Sequence, residues 1–284
     1  MTIILGAVQD TYAFALADTL AIEDSRKKLF YPQKMLPLEF KDTVNGERAV
    51  YGFCGWTHFG EFFKDQMCRG VENREFCKVD DLVQKYSDIR KRFAQGLNGS
   101  VKATRDQKSK ECSVMIVPYS NALPITHLGP RRRPEFREYH AIGSGASIAL
   151  EFMNEVAPLK RWRSFSVSTS LVCLLSAYDQ SVSTVVGCGG VPVIYYLNSQ
   201  NITKMSFDTA VLMQRVVMGY HGGAISMKLT HGALEELLSN SLVGSGSVGS
   251  SVRGVKQELV MKSPKSKRSK VEDVLDGFLA PNAF

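Results

Sequence analysis

The sequence lacks any hydrophobic run that approaches the roughly 20 residues of a membrane-spanning helix. Its first residues, 2–8, are mostly apolar but have neither the basic leader nor the length of a signal peptide. Both absences argue against a membrane protein and against a secreted one. We therefore expect a soluble, intracellular protein that works in the cytoplasm and has no membrane partner.

Close cysteine pairs are absent as well. The spacing of the six cysteines matches neither a zinc site nor a disulfide framework, since they are scattered as Cys54, Cys68, Cys77, Cys112, Cys173 and Cys188. The sequence also has no Gly-x-x-x-x-Gly-Lys-Ser/Thr motif, so any dependence on ATP would have to come from a partner. We expect neither a metal ion nor an organic cofactor.

The positive charge is not spread over the whole chain, although the formal net charge is +7. Seven of the Lys and Arg residues fall between Arg253 and Lys270, and residues 131–133 form an arginine run in a proline-flanked stretch. Interleaved aromatic residues and a known binding motif are both missing. This distribution argues against nucleic-acid binding.

The composition changes after residue 240. Residues 241–251 are almost all Ser, Gly and Val, and residues 262–270 are mostly Lys, Arg and Ser. We interpret 1–240 as a folded domain and 241–284 as a flexible linker with a basic, solvated tail. The basic run is also typical of a nuclear-localisation signal or a patch for an acidic partner, and residues 271–279 are compatible with a short helix that docks on a neighbour.

Within residues 1–240, short apolar runs alternate with segments that have a helical pattern of apolar residues. The apolar runs predict strands, of which the first two form a hairpin, over 3–8, 12–17, 112–118 and 191–197. Apolar residues at steps of three and four predict helices over 58–69, 79–96, the stretch from 146 to Pro158, 166–178 and 206–218. Residues 121–134 predict a loop with a poor strand at its end. The order indicates sheets between helix layers.

Three residues near the start combine into a candidate nucleophilic centre. Thr2 follows the initiator Met, and removal of Met1 would give one residue both a hydroxyl nucleophile and an α-amine base that titrates near neutrality. Asp18 lies sixteen residues further on, and Lys34 sixteen beyond that. A buried Lys34 ammonium would lower the pKa of the threonine groups, and Asp18 would hold that ammonium charged and oriented.

The start of the chain resembles a proteasome β-type subunit, a member of the N-terminal-nucleophile (Ntn) hydrolases. The similar residues are 2–6 and 14–19, and Thr2, Asp18 and Lys34 fall at the family's spacing. Residues 140–150 are similar to the family's Gly-Ser-Gly segment, where a strand turns into a helix. The resemblance implies that Ser144 in this segment supports the N-terminal threonine.

Two further site residues follow from the resemblance. Residues 43–56 are similar to the family's next strand and glycine turn, which makes the backbone N–H of Gly55 the donor to a tetrahedral oxyanion. Asp179 is the second. The family has a serine three residues later and then two glycines, whereas here Ser181 and Ser183 are both candidates and the glycine pair comes only at 189–190.

The resemblance covers about residues 2–200 and implies an α+β fold, a four-layer αββα sandwich. It implies a threonine-type endopeptidase that acts on unfolded protein or peptide, within a ring formed with itself or related subunits, and with an ATPase as a candidate partner. If an amine replaces water in the second step, the enzyme is a ligase. The alternative is a non-catalytic, structural or interaction subunit of the same family.

Overall fold

The computed structural model describes residues 2–22, 28–30, 34–39, 48–95, 104, 112–119, 124–129, 135–156, 162, 164–243 and 253–255. Met1, the arginine run at 131–133, the basic run at 262–270 and the terminal helix predicted over 271–279 lie outside the described residues. Among the described residues, no helix combines the length and the apolar character needed to cross a bilayer.

The predicted amino-terminal hairpin is the centre of one five-stranded antiparallel sheet. Strand β1 (Ile3–Val8) pairs with β2 (Tyr12–Ala17) on one side and with β10 (Tyr139–Gly143) on the other, and β11 (Val193–Asn198) and β12 (Ile202–Lys204) complete the order β10-β1-β2-β11-β12. Nearly every residue of β1 and β2 is buried. These strands lack polar alternation because both faces of the sheet are covered.

A second five-stranded antiparallel sheet has the order β5-β6-β7-β8-β9. Its strands are β5 (Met35–Glu39), β6 (Arg48–Cys54), β7 (Ser113–Tyr119), β8 (Ile125–Leu128) and β9 (Glu135–Arg137). A two-stranded ribbon of β3 (Leu20–Ile22) and β4 (Lys28–Phe30) connects β2 to β5. Strand β8 differs from the predicted loop over 121–134, because buried Ile125 and Leu128 fix it against β7.

Helices cover both sheets in the described part of the chain. The described residues form α1 (Thr57–Glu72), α2 (Val79–Ala94), α3 (Ala146–Val156), α4 (Val167–Thr184), α5 (Phe207–His221) and α6 (Met227–Val243). Helices α1 and α2 pack on the second sheet, and α3 to α6 pack on the first.

The core consists of three apolar layers. One lies between α1, α2 and the second sheet, and another between the first sheet and α3 to α6. The third lies between the sheets and includes Ile4, Ala15, Val50, Met115 and Val117. Gly6 leaves the space for this contact, since a Cβ there would lie 2.6 Å from Val117. The predicted α+β fold, a four-layer αββα sandwich, is confirmed.

Two helices differ from the sequence predictions. Helix α4 continues to Thr184 rather than ending at Tyr178, because buried Ser181 and the packing of this turn outweigh the low helix propensity of its Ser and Val residues. Helix α6 was not predicted at all. Its spaced apolar residues Leu234, Leu237 and Leu238 are a helical signal hidden among Gly, Ser and Asn.

The compact part of the chain extends past residue 240. Helix α6 ends at Val243, and Val255 is 4% exposed within the core beneath α3 to α6. Gly254 lies against Leu229 of α6. The described core therefore includes residues that the sequence analysis assigned to the linker.

Candidate active site

A buried ion pair lies beside the start of β1. Asp18 directly follows β2 and Lys34 directly precedes β5, so the two strand ends bring the side chains together. Lys34 Nζ donates to Asp18 Oδ1 at 2.8 Å, with exposed fractions of 5% and 0%. The structure thus brings together two of the residues that the spacing singled out.

The Asp18 carboxylate also holds the backbone next to Thr2. Its Oδ1 accepts the Ile3 N–H at 3.0 Å, and its Oδ2 accepts the Gly189 N–H at 3.4 Å. The Asp18 N–H in turn donates to the Ile3 carbonyl at 3.1 Å. One carboxylate therefore connects the residue after Thr2 to Lys34 and to the segment that follows α4.

Opposing effects act on the pKa of Asp18. Burial raises the pKa, while the Lys34 ammonium and the N–H groups of Ile3 and Gly189 act in the lowering direction. The net direction is upward. The charge of Asp18 thus depends on the presence of Lys34 beside it.

Thr2 is half-buried at the open end of β1, one residue before Ile3. The turn from β10 to α3 lies directly against it. A Cβ on Gly143 would fall 2.2 Å from the Thr2 carbonyl oxygen, and the φ of Gly143 is +98°. Only glycine fits this close approach and this backbone conformation. Ser144 follows Gly143 and is exposed in the same turn, so the Gly-Ser-Gly segment does reach the neighbourhood of Thr2.

Gly145 connects this turn to α4. Its carbonyl accepts from the Ser181 hydroxyl at 3.1 Å, and Ser181 is fully buried. Ser183 is exposed. Of the two serines that the sequence left open, Ser181 is the one in contact with the turn beside Thr2.

Cys188 is a neighbour of the ion pair that the sequence analysis did not place in the site. It is 6% exposed and directly precedes Gly189, the residue whose N–H reaches Asp18. Burial raises the pKa of the Cys188 thiol, the Asp18 charge adds to the effect, and Lys34 together with a hydrogen bond to the Gly145 backbone opposes it. The glycine pair at 189–190 was the available signal, because it marks the bend that carries Cys188 to the site.

Gly55 lies just past the end of β6, with φ +114° and no room for a Cβ, which would meet the Cys112 Cα at 2.8 Å. Two residues earlier, the Phe53 N–H donates to the Lys34 carbonyl at 3.1 Å. The structure therefore places Gly55 next to the strand that begins after Lys34. Its role as oxyanion donor stays a prediction.

Asp179 has a different environment from the one its predicted role requires. Its Oδ1 accepts from Gln214 Nε2 of α5 at 2.7 Å, and it lines a surface pocket with Ser183 and His221. Because α4 is an unbroken helix here, residues two positions apart point to nearly opposite sides, and Ser181 rather than Asp179 faces Gly145. The described contacts of Asp179 are with Gln214 and this pocket and not with the Asp18–Lys34 pair, and its role in the site stays a prediction.

Metal-binding side chains do not gather in this region. Over the part of the chain that the structure describes, no group of three or more His, Cys, Asp or Glu side chains could hold a metal ion.

Comparisons with known proteins find similar solved structures but no similar sequences. No protein-family model and no curated protein sequence matches the chain. Among solved structures, Anbu (ancestral beta-subunit) from Yersinia bercovieri is similar with a TM-score of 0.60 at 9% identity, covering 78% of this chain and 94% of that one. The Anbu (Gly-1) mutant from Hyphomicrobium sp. strain MC1 is similar with a TM-score of 0.60 at 10% identity, covering 79% and 96%.

The HslV of Trypanosoma brucei also matches, with a TM-score of 0.48 at 13% identity over 69% of this chain and 99% of that chain. At identities of 9% and 10% the two Anbu structures establish the fold but say nothing about activity, which has to be argued from the residues of the site. The layers, the topology and the two Anbu similarities agree with the resemblance found in the sequence. The chain has an αββα fold of the Ntn-hydrolase type, which it shares with the two Anbu structures.

Proposed function

We propose that the chain is a proteasome-like threonine peptidase in which Thr2, exposed by removal of Met1, hydrolyses amide bonds. The observation that carries the proposal is the Asp18–Lys34 pair, whose carboxylate also accepts the Ile3 N–H at 3.0 Å. This arrangement fixes an ammonium and a carboxylate beside the residue that would be the nucleophile.

The energetics of the pair support a functional reading. Taking two charges out of water costs several kcal/mol per ion, and hydrophobic residues of similar volume often stabilise a fold as well or better. Asp18 is completely buried and Lys34 almost so. A pair in this position can act electrostatically on Thr2, because the positive charge of Lys34 would favour the ionised form of a neighbouring hydroxyl.

The proposed reaction has two steps. Thr2 Oγ attacks the amide carbonyl and the α-amine of the same residue accepts the hydroxyl proton, directly or through a water. The oxyanion is stabilised by the Gly55 N–H, Lys34 lowers the local pKa, and Asp18 with Ser144 orients the network. The leaving amine takes a proton as the C–N bond breaks. Water then attacks the acyl ester and releases the acid, and an amine in place of water would make a ligase.

The fold is the basis for a proposal about the substrate and about the assembly of the protein. We propose that an unfolded polypeptide is the substrate and that the chain forms a ring with itself or related subunits. Since the sequence has no phosphate-binding Gly-x-x-x-x-Gly-Lys-Ser/Thr motif, an ATPase would act as a separate partner.

The test is the intact mass of the purified protein before and after incubation with a peptide epoxyketone, which needs both a hydroxyl and a free α-amine on one residue. We expect loss of Met1 and a single adduct, retained in Thr2→Ser and absent in Thr2→Ala. A protein that keeps Met1, or an adduct that persists in Thr2→Ala, would refute the proposal.

A non-catalytic subunit is the second candidate. The exposed position of Ser144 and the separation of Asp179 from the ion pair favour it, because they leave the network around Thr2 with fewer fixed partners. This reading predicts ring assembly without any adduct, in the same experiment followed by native mass spectrometry.

A further inference from the structure

A second polar site lies in the outer helical layer, where α3, α4 and α5 meet. It is a pocket of about 320 Å³ lined by Phe152 of α3, Asp179 and Ser183 of α4, and Met218 and His221 of α5. Its lining residues are not those that contact Asp18. Binding of a ligand in this pocket would therefore be independent of the proposed peptidase reaction.

Asp179 is the charged group of this pocket and is incompletely satisfied. Its Oδ1 accepts from Gln214 at 2.7 Å, whereas its buried Oδ2 accepts no hydrogen bond from the described residues. A buried carboxylate oxygen without a donor costs free energy, so such oxygens in folded proteins are usually paired. Burial raises the pKa of Asp179, while the hydrogen bond from Gln214 and the nearby His221 act in the lowering direction. The missing partner is a hydrogen-bond donor, and a positive charge suits it best.

The remaining walls of the pocket are largely apolar or already engaged. Met218 is 55% exposed, a high value for so large an apolar side chain, and Phe152 faces it from α3. The Ser176 hydroxyl is bound to His221 Nε2 at 2.5 Å and donates to the Val172 carbonyl. The pocket thus places Asp179, whose Oδ2 accepts no hydrogen bond from the described residues, beside an apolar surface.

We propose that this pocket binds an alkylammonium or alkylguanidinium group, with the cation on Asp179 and the aliphatic stem on Phe152 and Met218. Long basic side chains combine these two parts, since their methylene stems lie on apolar surface while the charged end finds an anion. The same chemistry is found in the Arg or Lys side chain of a polypeptide and in a free polyamine.

Methyl NMR of the full-length protein labelled at the methionine methyl groups tests the proposal. Butylguanidinium is titrated against butylurea, its neutral analogue, with the Met218 signal assigned through Met218→Leu. Met227 is equally exposed, at 55%, but lies on α6 and is the internal control. We expect a saturable shift of the Met218 signal with the cation and none with butylurea, and an unmoved Met227 signal.

Two variants locate the charge. Asp179→Asn keeps the size of the side chain and its bond to Gln214, and we expect it to weaken binding by about tenfold or more. Asp208→Asn, in the first turn of α5, is the matched control and should bind like the parent. Equal shifts with butylurea, or an unchanged affinity in Asp179→Asn, would overturn the proposal. The butylurea comparison needs no variant, so it decides even if Asp179→Asn unfolds.

Two more ligands separate the sources of the cation. A capped peptide of alanines with one central arginine represents a polypeptide partner, and spermidine represents a free polyamine. Tighter binding of the peptide assigns the pocket to a protein partner, and tighter binding of spermidine to the small molecule. Failure of both to move the Met218 signal would contradict the proposal, and neither result bears on the epoxyketone adduct at Thr2.

Discussion

Asp18 combines more contacts than any other polar side chain described near Thr2. Its two oxygens receive the Lys34 ammonium and the N–H groups of Ile3 and Gly189, and it is fully buried. Removing one partner of such a pair leaves an uncompensated charge in the interior. The variant Lys34→Met should therefore lose about 3–5 kcal/mol of unfolding free energy, measured by urea denaturation.

The double variant Asp18→Asn/Lys34→Met is the control, because it removes both charges. It should be markedly more stable than the sum of the single variants implies. Loss of Lys34 also raises the pKa of Asp18 further, so folded Lys34→Met holds this proton to higher pH than its unfolded chain does. Its free energy of unfolding should fall as the pH rises above the ordinary carboxyl value of 3.8, more steeply than that of the parent. Parallel pH profiles would contradict this account.

Gly143 is a further residue whose identity the structure explains. An alanine there would need φ +98° and would place its Cβ 2.2 Å from the Thr2 carbonyl oxygen. We expect Gly143→Ala to lose more than about 2 kcal/mol of stability and to slow formation of the epoxyketone adduct. Gly223→Ala is the matched control, since φ there is +67° but a Cβ would meet nothing within 4 Å. Equal effects of the two substitutions would mean that the backbone angle alone matters.

The sequence predicted the residues of the site that lie close to strand ends. Asp18 and Lys34 could be predicted from their spacing after Thr2 and from the family resemblance. In the structure each directly adjoins a strand, and the two strand ends bring the side chains into contact. The contact of Asp179 with Gln214 was not predictable, because its direction depends on the phase of α4, and this phase is set by packing against other elements. Cys188 was missed because the glycine pair at 189–190 marks a bend but not its direction, and the approach to Asp18 depends on contacts between distant segments.

At the scale of elements, α4 is the connection between the outer helices and the turn beside Thr2. Ser181 on its last turns donates to the Gly145 carbonyl at 3.1 Å and to Ala177 at 2.9 Å. We expect Ser181→Ala to lose about 1 kcal/mol of unfolding free energy and to reduce the rate of adduct formation. Exposed Ser183→Ala should change stability by less than about 0.5 kcal/mol. Urea denaturation measures the two stabilities, and intact mass at intervals after addition of the epoxyketone measures the rate of adduct formation. Similar losses in the two variants would speak against the contact.

At the scale of the whole molecule, the carboxyl-terminal limit of the fold is open to a direct test. A chain that ends at residue 240 lacks the last turn of α6 and the buried Val255. Burial of a valine side chain contributes roughly 1.5–3 kcal/mol, so the melting temperature should fall by about 5 °C or more. A chain that ends at residue 255 is the control and should melt with the full-length protein. Identical melting of all three would place Val255 outside the core.

Much of the architecture was predictable, for a physical reason. Strands that are buried on both faces have continuous apolar sequences, which are easy to recognise. The hairpin of β1 and β2 was therefore predicted with its observed limits. Helix α6 and strand β8 were not, because their sequences mix apolar residues with Gly, Ser, Thr or His and gain their structure from neighbours. The pairing of the two sheets face to face came only from the family resemblance.

The position of β1 has a consequence for the rigidity of the reactive end. This strand is hydrogen-bonded to β10 and β2 along both edges, and it lies between the helical layer and the second sheet. Its amide hydrogens should exchange with solvent only when the whole protein opens, as is usual for the innermost strand of a core. Thr2 is thus the tip of the element that unfolds last, so the nucleophile and the fold would be lost in a single cooperative transition.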